Sequence, residues 1–150
     1  MLKVTKESDD LEESPERLVT DYMRTLGASD LADCVLDMSK YQIFDDEVAT
    51  AVSAPRGTLG GITVWNLEPG QENDYHRHPE NEHYQIVIEG ELEFTLGDQD
   101  PVLVRPGQIV VIPTNVPHGI RNTSDGRGTY VAFTSPGAYE KVLVRPPVRD

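Results

Sequence analysis

Several classes of function are excluded by what this sequence lacks. A single cysteine, Cys34, stands among 150 residues, so no disulfide can form within the chain, and such usage fits a reducing cytoplasm. With no base or cation placed beside it, Cys34 reads as a small packed residue, not a reactive thiol. No apolar run approaches the roughly 18–20 residues of a membrane helix. The opening MLKVTKESDDLEES has no apolar stretch of the signal-peptide kind. Basic charge is also scarce: 13 Lys and Arg face 26 Asp and Glu, for a formal net charge of −13. A field of that sign repels phosphate backbones and anionic lipid, and no basic patch with interleaved aromatics offsets it. Neither nucleic acid nor a membrane is an expected partner. The stretch GTLGG at 57–61 lacks the lysine and helix of a phosphate loop, and Ser135-Pro136-Gly137 reads as a turn, without a nucleophile elbow. There is no internal repeat and no low-complexity segment.

What remains is an ordinary globular composition, 37% hydrophobic and 26% charged, in a length suited to one domain with one core. Residues 1–13 are polar and acidic and are expected to be a poorly ordered tail. Residues 14–40 predict one or two short helices. Ser14-Pro15 has the form of an N-cap followed by proline at the first helical position. Leu18, Val19, Tyr22, Met23 and Leu26 then recur at helical spacing, ahead of Gly27. A second helix is expected from Ser29/Asp30, with Leu31, Val35 and Leu36 on one face.

From residue 41 to 150 the helical period disappears. Short β-rich runs (YQIF, ATAVS, GITVWNL, HYQIVIE, ELEFTL, VLV, QIVVI, TYVAFT, KVLV) alternate with turn signals such as EPG, LGD, RPG and TSDGRG. This pattern predicts an all-β sandwich or barrel in place of βαβ units.

The chain has only four histidines, and their placement is informative. His76 and His78 are two apart, so on a strand both project from one face. His83 opens the next apolar run after a polar loop, and His118 opens a later one. A same-face His-x-His pair joined by single imidazoles from neighbouring strands is how a barrel interior gathers metal ligands. Burying several imidazoles together without a cation would leave ring nitrogens short of partners. Arg77, between two of them, should point outward. If His83 faces inward, so do Gln85 and Val87; Gln85 would then orient bound water or a substrate oxygen, or serve as a structural amide. Trp65, Tyr75, Tyr84, Tyr130 and Phe133 lie on candidate strands, as core or as pocket wall.

These residues resemble the two motifs of the cupin superfamily. Gly70, His76, His78 and Gly90 fall on the first, G-x5-H-x-H-x3,4-E-x6-G. Gly107, Pro113, His118 and Asn122 fall on the second, G-x5-P-x-G-x2-H-x3-N, with Asn115 where glycine is usual. The motifs span residues 70–122. His83 stands six residues before Gly90, where the family usually has glutamate; Glu82, one residue earlier, is the alternative ligand. The spacing favours His83, but both faces of Tyr84–Ile88 are largely apolar, so alternation does not decide.

The resemblance implies a double-stranded β-helix, or jelly-roll, barrel preceded by the short N-terminal helices. It implies one divalent transition metal ion (iron, manganese, zinc or nickel) on His76, His78, His83 and His118, as in small four-histidine cupins such as manganese or iron members and zinc-dependent polyketide cyclases. Four neutral imidazoles leave the ion its full charge, which makes it a harder Lewis acid. The expected function is a metal-dependent enzyme acting on a small organic molecule, with dioxygenase-type oxidation first. A non-redox cyclase, isomerase or lyase comes next, and a non-catalytic ligand-binding metallo-cupin stands as the other class. Similar proteins are commonly homodimers, and the same is expected here.

Overall fold

A computed structural model describes residues 3–19, 35–54 and 60–149. Its strands are β1 (Lys3–Lys6), β2 (Glu16–Val19), β3 (Ala49–Ser53), β4 (Gly61–Leu67), β5 (Glu72–Arg77) and β6 (His83–Glu89). They continue with β7 (Leu92–Leu96), β8 (Val102–Val104), β9 (Ile109–Ile112), β10 (His118–Arg121), β11 (Gly128–Thr134) and β12 (Glu140–Leu143). Two six-stranded sheets result, ordered β1-β12-β5-β10-β7-β8 and β2-β3-β4-β11-β6-β9. From β4 onward sequence neighbours switch sheets at every step except the β7–β8 hairpin, as in the expected all-β jelly roll. No helix among the described residues is long and apolar enough to cross a membrane.

The turns are set by residues that tolerate a left-handed backbone. Gly90 has φ +72°, and a Cβ there would collide with the Arg127 carbonyl oxygen, so only glycine fits the β6–β7 turn. Asn115, at the position where the motif has glycine, takes φ 65°, a conformation asparagine adopts more readily than other side chains. Asn122 is fully buried. Its Nδ2 donates to the carbonyls of Leu67 and Gly126, and its Oδ1 accepts from Ser124. One side chain thus closes the loop between β10 and β11.

Among the described residues two apolar clusters form. The larger lies between the sheets and includes Trp65, Leu67, Val87, Leu92, Phe94, Ile120 and Tyr130. The smaller lies on the other face of the second sheet, where Val52, Val64 and Val131 pack under Tyr41, Leu36, Met38 and Ile43. The YQIF run is therefore not a strand. It follows a 3₁₀ turn at Met38–Lys40 and covers the sheet, with the Tyr41 carbonyl accepting from Asn66 Nδ2.

The N-terminal expectations need correction. Of the acidic stretch 1–13, the described residues 3–13 are tied to the barrel: β1 pairs in parallel with β12, the Glu7 amide donates to the Leu143 carbonyl, and Glu7 pairs with Arg77. The exposed edge of β12 offers unpaired backbone groups, and polar composition alone does not register such a template. The helix expected from Ser14 is also replaced over Glu16–Val19, which is a strand paired in parallel with β3. Ser14 caps nothing helical; its amide and hydroxyl both donate to the Asp74 carboxylate, at 2.7 and 2.6 Å. Strands from ahead of residue 41 thus join both sheets. The rest of the first expected helix and most of the second, through Cys34, lie outside the described residues.

Candidate metal centre and cavity

Strand parity delivers the imidazoles to the interior. His76 on β5 and His78 just beyond it face inward, while Arg77 between them turns out to Glu7 and Asn115. His118, the first residue of β10, stands directly opposite His76. His83 opens β6 in the other sheet, opposite Thr134 and Ile112. All four histidines are buried, at 1–3% exposure.

Hydrogen bonding fixes the tautomers of three of them. The Nδ1 of His76 is bonded to the Asp74 carbonyl, that of His78 to the Glu140 carbonyl at 2.7 Å, and that of His118 to the Val116 carbonyl at 3.0 Å. A carbonyl only accepts, so each Nδ1 carries the proton and each Nε2 presents a lone pair. Those lone pairs converge. His76 Nε2 and His78 Nε2 are 3.0 Å apart, His118 Nε2 has no partner, and the ligand atoms of the three lie within 4.8 Å of one another. Backbone carbonyls holding the far nitrogens are the usual outer partners of metal-bound histidine.

His83 completes the cluster less closely. Its ring stacks on His78, with centroids 4.2 Å apart and planes 8° from parallel, and stands 5.7 Å from His118. Both of its nitrogens are buried without partners. Its nitrogens fall outside the 4.8 Å group formed by the other three. Glu82 points the other way: it is exposed, and its carboxylate accepts from the Tyr84 hydroxyl at 2.9 Å.

Every imidazole is held neutral. Burial pushes the pKa of His78 down to about 4, that of His118 to about 3 and that of His83 to about 2. Burial, then the neighbouring rings of His118 and His78, also pushes His76 well below the ordinary range. Convergent acceptors with no proton to share among them suit a cation, and the donor set of neutral nitrogens suits a divalent transition metal.

Beside the imidazoles lies a cavity of about 510 Å³. Trp65 and Ala132 form part of its apolar wall, and Gln85 and Asn73 line it with buried carbonyl oxygens that have no partner. Tyr130 is core: it stacks with Trp65 and accepts from Asn73 Nδ2 at 2.9 Å. Tyr75 donates to the Gly97 carbonyl away from the cavity, and Tyr84 and Phe133 are exposed.

Four lining residues, Glu16, Asn73, Tyr139 and Lys141, were not anticipated. Tyr139 is 41% exposed overall, but its ring stacks on His78, with centroids 4.9 Å apart, and desolvation at that inner face pushes its hydroxyl pKa up. Lys141 is 3% exposed and its Nζ lies 3.1 Å from Glu16. The available signal was parity along β12: Tyr139, Lys141 and Leu143 share one face, and Glu140 takes the other, where it meets Lys3.

Comparison with known proteins agrees with this architecture. Residues 63–134 match the cupin domain family. The chain is 34% identical over 87 residues to Protein SchB of Streptomyces halstedii, covering 58% of this chain and 60% of that protein. It is 34% identical over 79 residues to Polyketide synthase CurC of Streptomyces cyaneus, covering 53% and 51% respectively. The match thus spans between half and three-fifths of the length of these relatives. Among solved structures, an uncharacterized conserved protein with a double-stranded β-helix domain from Klebsiella pneumoniae superposes with TM-score 0.68 at 22% identity, covering 74% of this chain and 96% of that one. The paired sheets, the glycine-bounded turns and the inward histidines on β5 and β10 are those of the cupin superfamily, whose domain model matches residues 63–134 of this chain.

Proposed function

We propose that the cavity is the active site of a divalent-metal-dependent enzyme acting on a small, oxygen-rich organic molecule of the enolisable polyketone or phenol type, by non-redox carbon–carbon bond chemistry such as cyclisation. The observation that carries the metal is the set of Nε2 lone pairs meeting without a proton among them. His76, His78 and His118 would hold the ion, with His83 as fourth ligand after a turn of its ring. When bound, a divalent ion supplies Lewis-acid polarisation of a carbonyl oxygen, undiminished by any ligand charge.

The chain's own residues bind and orient. The Trp65 wall accommodates a flat, apolar substrate body and excludes water. The unpartnered Oε1 of Gln85 and Oδ1 of Asn73 accept hydrogen bonds from substrate hydroxyls. The Tyr139 hydroxyl stays protonated at neutral pH, so it can donate to a substrate oxygen beside His78. The substrate class draws support from similarity to Polyketide synthase CurC, and on that likeness we rank non-redox chemistry ahead of the oxidation first expected.

The test is elemental analysis of protein purified without added metal, followed by turnover of an aromatic poly-β-ketone with and without oxygen. Expected are a non-redox divalent metal such as zinc and product formation that is independent of oxygen. Oxygen-dependent turnover with iron or manganese would overturn the cyclase reading in favour of a dioxygenase. Ligand binding without turnover would mark a binding protein.

A further inference from the structure

The buried ion pair at the cavity edge is not explained by the imidazole cluster. Lys141 Nζ lies 3.1 Å from Glu16 Oε2, 3.7 Å from Glu13 Oε1 and 5.9 Å from the Trp65 ring centre. An ammonium has three donors, and among the described residues only the Glu16 contact is a hydrogen bond. A structural role alone accounts poorly for this placement, since apolar residues of similar volume commonly serve as well or better than a buried pair. Lys141 also acts against the site beside it: its field opposes added positive charge at His76, His78 and His118. Lys141 lines the same cavity as His76, His78 and His83, where an ammonium and a bound cation can face one anion. With a divalent ion bound and Lys141 offset by Glu16, the pocket is net positive inside a chain of net charge −13.

We propose that Lys141 is the anion subsite of this cavity: its ammonium binds an enolate or phenolate oxygen of the substrate, and Glu16 on β2 holds it in position between turnovers. This rests on the metal-dependent reading above and narrows its substrate class to molecules that present an ionised oxygen within reach of both cations. Glu16 is a positioning residue, competing with the substrate oxygen for the same ammonium, and Trp65 lies alongside for the apolar part of the ligand.

The experiment titrates zinc-loaded protein with 1-phenylbutane-1,3-dione, whose enolate absorbance reports binding. 4-Phenylbutan-2-one, which has no acidic proton between two carbonyls, is the neutral control. Lys141→Met is expected to weaken diketone affinity about 10- to 100-fold, the worth of a hydrogen bond to a charged group, while zinc content and affinity for the neutral ketone stay unchanged. Glu16→Gln keeps the ammonium and removes its competitor, so diketone affinity should rise several-fold; a merely structural pair would lower the melting temperature and leave that affinity alone. Unchanged diketone binding in Lys141→Met with zinc retained, or no gain in Glu16→Gln, overturns the subsite and leaves the metal reading standing. Wild-type protein that takes up no zinc overturns both. Should Lys141→Met fail to fold, the Glu16→Gln titration decides.

Discussion

The two ends of this barrel interior are built on the same strands and differ in what fills them. On β11, Tyr130 and Ala132 share the inward face; Tyr130 packs against Trp65 and Phe94, and Ala132 leaves room for the cavity. On β6, Val87 joins the filled core, while Gln85 and His83, two and four residues away on the same face, border the cavity. Sheet geometry is common to both ends. Side-chain volume and polarity alone separate a close-packed region, whose burial stabilises the fold, from a region of unpartnered polar atoms that weakens it. The cavity end gives up stability to keep four neutral imidazoles together.

Acid should break this comparison most strongly. The cavity-end histidines are neutral in the fold, with folded pKa values near 4 for His78 and 3 for His118. The unfolded chain takes up protons below about 6.5. A depressed histidine pKa therefore leaves stability intact above that pH and removes it as pH falls from about 6.5 towards 4 and then 3. The slope is about 1.4 kcal/mol per pH unit for each imidazole involved. Urea denaturation of metal-free protein between pH 7 and 5 should show a loss of several kcal/mol, and bound zinc should remove most of it at the upper end of that range. The filled end adds nothing in this window, since Tyr130 has its pKa raised, not lowered.

At the filled end, Tyr130→Ala should cost about 4 kcal/mol, in the range for emptying a buried aromatic site, with zinc binding retained if the barrel still folds. At the cavity end, His118→Ala should do the reverse. Zinc affinity should fall by at least the ~100-fold that loss of an outer partner can cost, and the metal-free protein should be no less stable, because a convergent acceptor has been removed. Ala132→Leu projects into open space; a stability change of about 1 kcal/mol or less is expected, together with weaker binding of bulky ligands. Glu82→Gln, on the outward face, should leave zinc content unchanged, and metal loss there would restore the glutamate alternative.

Much of this was legible in the sequence, for definable reasons. His76 and His78 announce themselves as a same-face pair, Gly90 as a turn and His118 as the opening of a later strand, because each depends on local spacing, whereas Asn115 and Asn122 came only from the resemblance to the second cupin motif. The choice between His83 and Glu82 was not settled by alternation, and the structure shows the cause. The second sheet is covered on both faces, so Ile86 and Ile88 look as apolar as the inward positions; Ile88 packs into the outer cluster. Glu16 and Lys141 were hidden because their meeting depends on β2 and β12, which are 125 positions apart. The N-terminal strands were missed because edge pairing rewards backbone groups, which composition does not record.

X-ray absorption at the zinc edge of the loaded protein tests the central claim most directly, because it counts the ligand atoms. A shell of four imidazole nitrogens at about 2.0–2.1 Å, reduced by one in His83→Ala, is the predicted result. A shell dominated by oxygen, or one unchanged when His76 and His118 are both replaced by alanine, would contradict it.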